Sequence, residues 1–130
     1  MALNMGKTIR IKSGGITVKA KLNDTKSAQA IWEALPFKGY ANRWGDEIYF
    51  SIPVHAAPEE GQELVDLGDL GYWLGGRALC IFFGPTPMSR GDEIRPAGPV
   101  PVVGKIIGDA KVFRQVSSGA EILVERESES

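Results

Sequence analysis

The chain has 130 residues and a mass of 14.1 kDa, the size of one domain, so residues 1-130 are read as a single unit. Its 15 basic and 16 acidic side chains leave a net charge of -1, which argues against holding nucleic acid by phosphate electrostatics. One cysteine, Cys80, and one histidine, His55, exclude an internal disulfide and a His/Cys metal site of the usual ligand number; no metal and no cofactor is expected.

Hydrophobic residues at 43% and charged residues at 24% fit a soluble globular chain. The longest apolar run, Ala78 to Phe83, is far short of the roughly 18 residues a membrane helix needs. The first residues show no basic segment followed by an apolar stretch, so no signal peptide is expected and the cytoplasm is the expected compartment. Met5 is an alternative start.

Lys7 to Ile11 and Ile16 to Leu22 alternate polar and apolar residues around Ser13-Gly14-Gly15, the pattern of a hairpin. Asn23-Asp24-Thr25 offers side-chain oxygens to cap a helix. Ala28, Ile31, Trp32 and Leu35 then recur on one helical stripe, and Pro36 stops it. A helix is predicted at about 25–35. Tyr40 to Trp44 and Glu47 to Val54 read as a second strand pair turning at Gly45-Asp46. Alternation puts Ile48, Phe50, Ile52 and Val54 on one face, and Glu47, Tyr49 and Ser51 on the other.

Residues 55–69 read as a loop with at most one helical turn. Leu70 to Trp73 is a short strand and Gly75-Gly76 a turn. Ala78 to Phe83 is a strand buried on both faces. Gly84 to Pro99 holds four of the eight prolines and no periodicity. Val100 to Ile107 is strand-like. Val112 to Val116 and Ala120 to Val124 are expected to form a last hairpin across Ser117-Ser118-Gly119. The ends, 1-6 and 125-130, are expected to fray. About eight short strands, Gly-rich turns and one clear helix favour a mostly β fold, a closed antiparallel barrel.

Several blocks carry a resemblance. Ala30 to Phe37, Trp44 to Phe50, Gly68 to Trp73 and Phe82 to Ser89 are similar to a prokaryotic family of small cyclophilin-like barrels of largely unknown function. The resemblance spans about residues 7–125 and implies an eight-stranded barrel closed by helices. The true proline isomerases of that fold are a more distant comparison. Val102 to Ile106 resembles their Val-Phe-Gly-Lys-Val strand, and Ile48 to Pro53 their Phe-His-Arg-x-Ile-Pro strand. Their catalytic side chains do not carry over: the arginine position holds Phe50, the histidine position Val100 and the tryptophan position Arg95. A positioned cation can weaken amide resonance and lower the barrier of about 18–20 kcal/mol to twisting the bond; phenylalanine cannot. Arg43 and Arg95 are the candidates for a displaced substitute.

The candidate site is an outer groove built from the 43–49 hairpin, Tyr72-Trp73 and the 83–93 loop. In this reading Arg43 and Glu47 hold polar groups, Tyr49 and Trp73 give stacking surface, and Thr86 and Ser89 orient the ligand. Trp44, Tyr72, Phe83 and Glu93 complete it. Two plainer readings stand beside it: an exposed ion pair packed on an aromatic at Arg43 to Tyr49, and a stiff connector at Gly84 to Ser89. Of the neighbours Phe82 and Phe83, one must point outward and needs cover. Residues 1–26 carry six bases and one acid, and 121–130 four acids and one base, which reads as complementary solvated faces. The expected partner is a small molecule or short peptide, with no nucleic acid and no membrane; a protein partner stays open, as do a rearranged prolyl isomerase and a non-catalytic interaction module.

Overall fold

The computed structural model describes residues 7–127. Lys7–Ser13 (β1) and Ile16–Leu22 (β2) pair antiparallel in full register. Gly14 takes a positive φ of 60° at the turn, which only glycine adopts without strain. Helix α1, Lys26–Ala34, follows. The Thr25 hydroxyl accepts from the Ala28 amide at 3.1 Å, and the Glu59 carboxylate from the 55–68 loop accepts from the Lys26 and Ser27 amides. These bonds satisfy donors that a helix start leaves free. Thr25→Ala should therefore cost about 1 kcal/mol of stability, read as a shifted urea midpoint; an unchanged midpoint would leave Glu59 as the sole effective cap.

The remaining strands are Phe37–Tyr40 (β3), Asn42–Arg43 (β4), Glu47–Ser51 (β5), Asp69–Trp73 (β6), Ala78–Phe82 (β7), Val102–Ile107 (β8) and Glu121–Arg126 (β9). All pairings are antiparallel, in the order β3-β9-β1-β2-β8-β6-β7-β5-β4. The two outermost strands, β3 and β4, are consecutive in the chain and separated by Ala41 alone. One bent stretch thus pairs first with β9 and then with β5, and the sheet nearly closes into a barrel. The described residues hold nine strands where about eight were expected, and the stretch expected as one strand at Tyr40 to Trp44 is two, divided at Ala41.

Inside the barrel the alternating residues of every long strand meet. Ile9, Ile11, Ala20, Phe50, Leu79, Ile81, Val103, Ile122 and Val124 are all fully buried there. Helix α1 adds Ala28 and Ile31. It leaves β2 at Leu22, the residue paired with Gly104 near the start of β8. A 3-10 segment, Ala110–Gln115, leaves the other end of β8 and adds Ala110 and Phe113. The two therefore plug opposite ends.

That 3-10 segment corrects the sequence reading, which made Val112 to Val116 one arm of a hairpin. The Asp109 side chain caps the Lys111 amide at 2.9 Å, and Phe113 rather than an alternating set turns inward. The expected turn at Gly75-Gly76 is a 3-10 turn, Leu74–Gly76. At the ends, 125 and 126 are strand residues of β9, and the Glu127 amide donates to the Thr8 carbonyl; the fraying expected of 1–6 and 128–130 lies outside the described residues, as does Met5.

The outer face of β2, β1 and β9 carries the charges noted in the sequence. Arg10 meets Glu125 at 3.0 Å and Glu127 at 3.3 Å, Lys12 meets Glu125 at 3.0 Å, and Lys19 meets Glu127 at 2.9 Å. The basic hairpin and the acidic last strand neutralise each other. No helix among the described residues is long and apolar enough to cross a membrane.

Candidate functional site

On the opposite wall the barrel's outer face is covered. Glu47 and Tyr49 of β5 pair with Phe82 and Cys80 of β7, so these four side chains share the outward side of the sheet. Phe82 is the outward ring of the neighbouring pair. It is fully buried in a second apolar cluster with Val65, Ile94 and Val100, contributed by two loops that cross over the sheet. The loops are pinned by backbone pairs between Gln62 and Val100 and between Val65 and Ile94. Gly71 of β6 lets this cover approach: a Cβ there would lie 3.0 Å from Val100 Cγ2.

The cover is incomplete. Between β5, β6 and the stretch Pro96 to Val100 lies a hollow of about 270 Å³. Trp44, Tyr49 and Trp73 supply its aromatic lining, and Glu47 and Cys80 its polar groups. Tyr49 and Trp73 meet edge to face, with centroids 6.0 Å apart. Trp73 is 43% exposed, so it stands at the mouth. Two further grooves adjoin. One, lined by Ser27, Glu59 and Leu74, shares Trp73 with the hollow; the other, lined by Glu63, Met88 and Arg95, shares Pro96 to Gly98.

Glu47 is the unusual group. It is 94% buried, and its Oε1 has no hydrogen-bond partner among the described residues. The other buried polar atoms there in that condition, on Arg10, Glu125 and Glu127, belong to the ion-pair ladder. Glu47 forms no ion pair among the described residues. Burial pushes its pKa up from 4.5 to about 7, with the adjacent Cys80 thiol opposing the shift. Burial, then the charge of Glu47, pushes the Cys80 thiol well above its ordinary value; a thiol held protonated is a poor nucleophile. The arrangement can bind and can exchange a proton near neutrality.

The residues expected at the groove divide. Trp44, Glu47, Tyr49 and Trp73 line the same hollow. Arg43 does not: its guanidinium donates to the carbonyls of Gly45 and Val116 and lies 5.1 Å from the Phe83 ring. Phe83 is inside the barrel against Phe113. Tyr72 is also in the barrel core, its hydroxyl donating to the Val54 carbonyl at 2.6 Å. The Thr86 hydroxyl donates to the Arg95 carbonyl, and the Ser89 oxygen accepts from the Thr86 and Arg95 amides at 2.9 and 3.0 Å. These bonds knot the 84–95 loop. Glu93 accepts from Arg95 Nε at 2.8 Å, and hydrogen bonding to Arg95 lowers its pKa.

That loop nevertheless adjoins the hairpin: the Asp46 amide donates to the Pro85 carbonyl at 2.9 Å. Gly45 permits it, having a φ of 62° and no room for a Cβ, which would fall 2.8 Å from Pro87. The sequence reading did not place Cys80, Pro96, Ala97, Gly98 or Val100 at the site. Cys80 was within reach, since it sits across from Tyr49 in the register.

Fold and hollow together define a small antiparallel barrel with a depression of about 270 Å³ on its outer wall. The chain belongs to the cyclophilin-like family, whose model matches residues 7–125. It is similar to a hypothetical protein from Archaeoglobus fulgidus known from its solution structure. The two share 37% identity over 98% of this chain and 100% of that one, with a TM-score of 0.81. No curated protein matches the chain.

Proposed function

We propose that this barrel is a binding protein for a small molecule or the end of a short peptide, held in the outer hollow. The observation that carries the reading is Glu47, a side chain that lines an aromatic hollow and has an Oε1 buried without a hydrogen-bond partner among the described residues. Buried polar groups are nearly always paired, and a ligand donor in the hollow would give this carboxyl a partner. Concave apolar surface with one or two convergent polar groups is the usual form of a small-molecule site. The single thiol suits a reducing compartment, which supports a cytoplasmic setting.

The isomerase reading has less support. Phe50, at the isomerase arginine position, is fully buried in the barrel interior. Arg43 is occupied with carbonyls, and Arg95 with Glu93 and Glu63. Neither lines the hollow, so no guanidinium there is placed to act on an X-Pro amide. A coupled assay on Ala-Pro peptides should show no acceleration.

The direct test is a fragment screen followed by amide and indole NMR shifts. Hits should move the indole signals of Trp44 and Trp73 and the amide of Gly98, and Trp73→Ala should weaken them about tenfold. Hits that gather in the Met88 groove instead, or an empty screen, would refute the reading. An empty screen together with a protein captured from lysate would favour the interaction module.

A further inference from the structure

Resting on that reading, we infer that the ligand carries an ammonium group, held between the Glu47 carboxylate and the aromatic side chains of Trp44, Tyr49 and Trp73. Aromatic faces attract cations through their quadrupole, most strongly where water is displaced. Three such side chains and one carboxyl line this single hollow. The remaining lining residues supply no cation: they are Cys80, Val100 and the stretch from Pro96 to Gly98. A buried carboxylate ordinarily has a partner of opposite charge. Glu47 has none among the described residues, and its Oε1 accepts from no donor there.

The wider field agrees. The segment from Asp46 to Asp69 carries seven acids and neither lysine nor arginine. Its Glu59 and Glu63 line the two grooves beside the hollow. On the Glu59 side an approaching anion meets like charge and a cation is favoured; on the other side Arg95 shares the groove with Glu63, 3.8 Å away, and offsets its charge. The volume of about 270 Å³ limits the ligand to an ammonium bearing one ring or a short chain. Either a free amine or the amino terminus of a peptide presents this group.

Binding of this kind carries a proton signature. The titratable groups lining the hollow are Glu47 and Tyr49 of β5 and Cys80 of β7; the Pro96 to Val100 stretch contributes none. An ammonium requires Glu47 ionised, so binding below neutrality must expel its proton. With Glu47 titrating at about 7, the affinity at pH 6 should be about tenfold weaker than at pH 8. A neutral ligand shows no such dependence.

The experiment compares phenethylammonium with phenethyl alcohol, its neutral near-isostere, by titrating the Trp44 and Trp73 indole signals at pH 6 and pH 8. A tripeptide with a free amino terminus and its acetylated form are the second pair, and separate the two sources. The expected result is a preference of about tenfold or more for the charged member of at least one pair, with the pH dependence seen for phenethylammonium. Glu47→Gln should remove both while the indole signals stay dispersed. Equal or tighter binding of the neutral members overturns the ammonium inference and leaves the hollow as a binding site. A preference that survives Glu47→Gln also overturns it, because the carboxylate would not be its source. No shift with any of the four overturns the ammonium inference, and the fragment screen then decides whether the hollow binds at all.

Discussion

Between pH 4.5 and pH 7 the protein should lose about 3 kcal/mol of stability, and Glu47→Gln should abolish most of that loss. The folded pKa of Glu47 is raised from 4.5 to about 7, so in this window the native state binds a proton that the unfolded chain has released. Stability then falls as pH rises, and the fall ends once the folded carboxyl has ionised. The size follows from about 1.4 kcal/mol per pKa unit. The lowered carboxylates Glu59, Glu93 and Glu125 act in the opposite sense and in a different range. Their stabilisation is complete above their unfolded pKa and is lost as pH falls below it. Urea titrations of both proteins at pH 5 and pH 8 separate the contributions. A wild-type stability flat across the window, or an equal loss in Glu47→Gln, would show that the carboxyl is solvated.

Phe113→Ala should destabilise the protein by about 3–5 kcal/mol, the range for emptying a buried aromatic site. Phe113 is fully buried and packs on Phe83 with centroids 6.2 Å apart. Its neighbour Val112 is only half-buried, and Val112→Ala should cost about 1 kcal/mol. Had the segment been a strand with Val112, Arg114 and Val116 on one face, the order of the two effects would be open to reversal. Urea midpoints with a common slope decide it, and a Phe113→Ala variant within 1 kcal/mol of wild type would mean that the barrel end is not sealed by this ring.

The parts of the fold legible in the sequence are those where a period and its stops coincide. The β1–β2 alternation brackets Gly14-Gly15, and the α1 stripe lies between Thr25 and Pro36. In β5, alternation alone set Glu47 and Tyr49 on the side away from Phe50. The structure keeps them there, with Trp44 and Trp73 beside them. β3 was hidden because Pro36 ends the α1 stripe and Phe37 to Tyr40 is too short a run to display a period. Gly39 is there because its missing Cβ leaves room for the Phe50 ring, which would lie 2.9 Å away. The 110–115 segment was hidden because Val112, Phe113 and Val116 suit a strand as well as a tight helix; the deciding signal is the Asp109 cap. Arg43 looked like a ligand contact because a guanidinium beside aromatics often is, and Thr86 and Ser89 because they offer hydroxyls on a Pro-rich loop. Nothing in residue type told that their partners are the chain's own carbonyls and amides. Nor could spacing reveal that the Pro96 to Val100 stretch folds back over Cys80.

The seam at Ala41 bears on how the molecule is made. β9 is the last strand among the described residues, and it pairs with both β1 and β3. During synthesis those two strands must each wait with an unpaired edge until β9 emerges from the ribosome. Unpaired edges invite pairing with other chains, and contacts joining distant parts of a sequence form slowly. The nascent barrel therefore passes through a stage at which it is most open to self-association, and release of the final strand, by zipping both edges together, ends it.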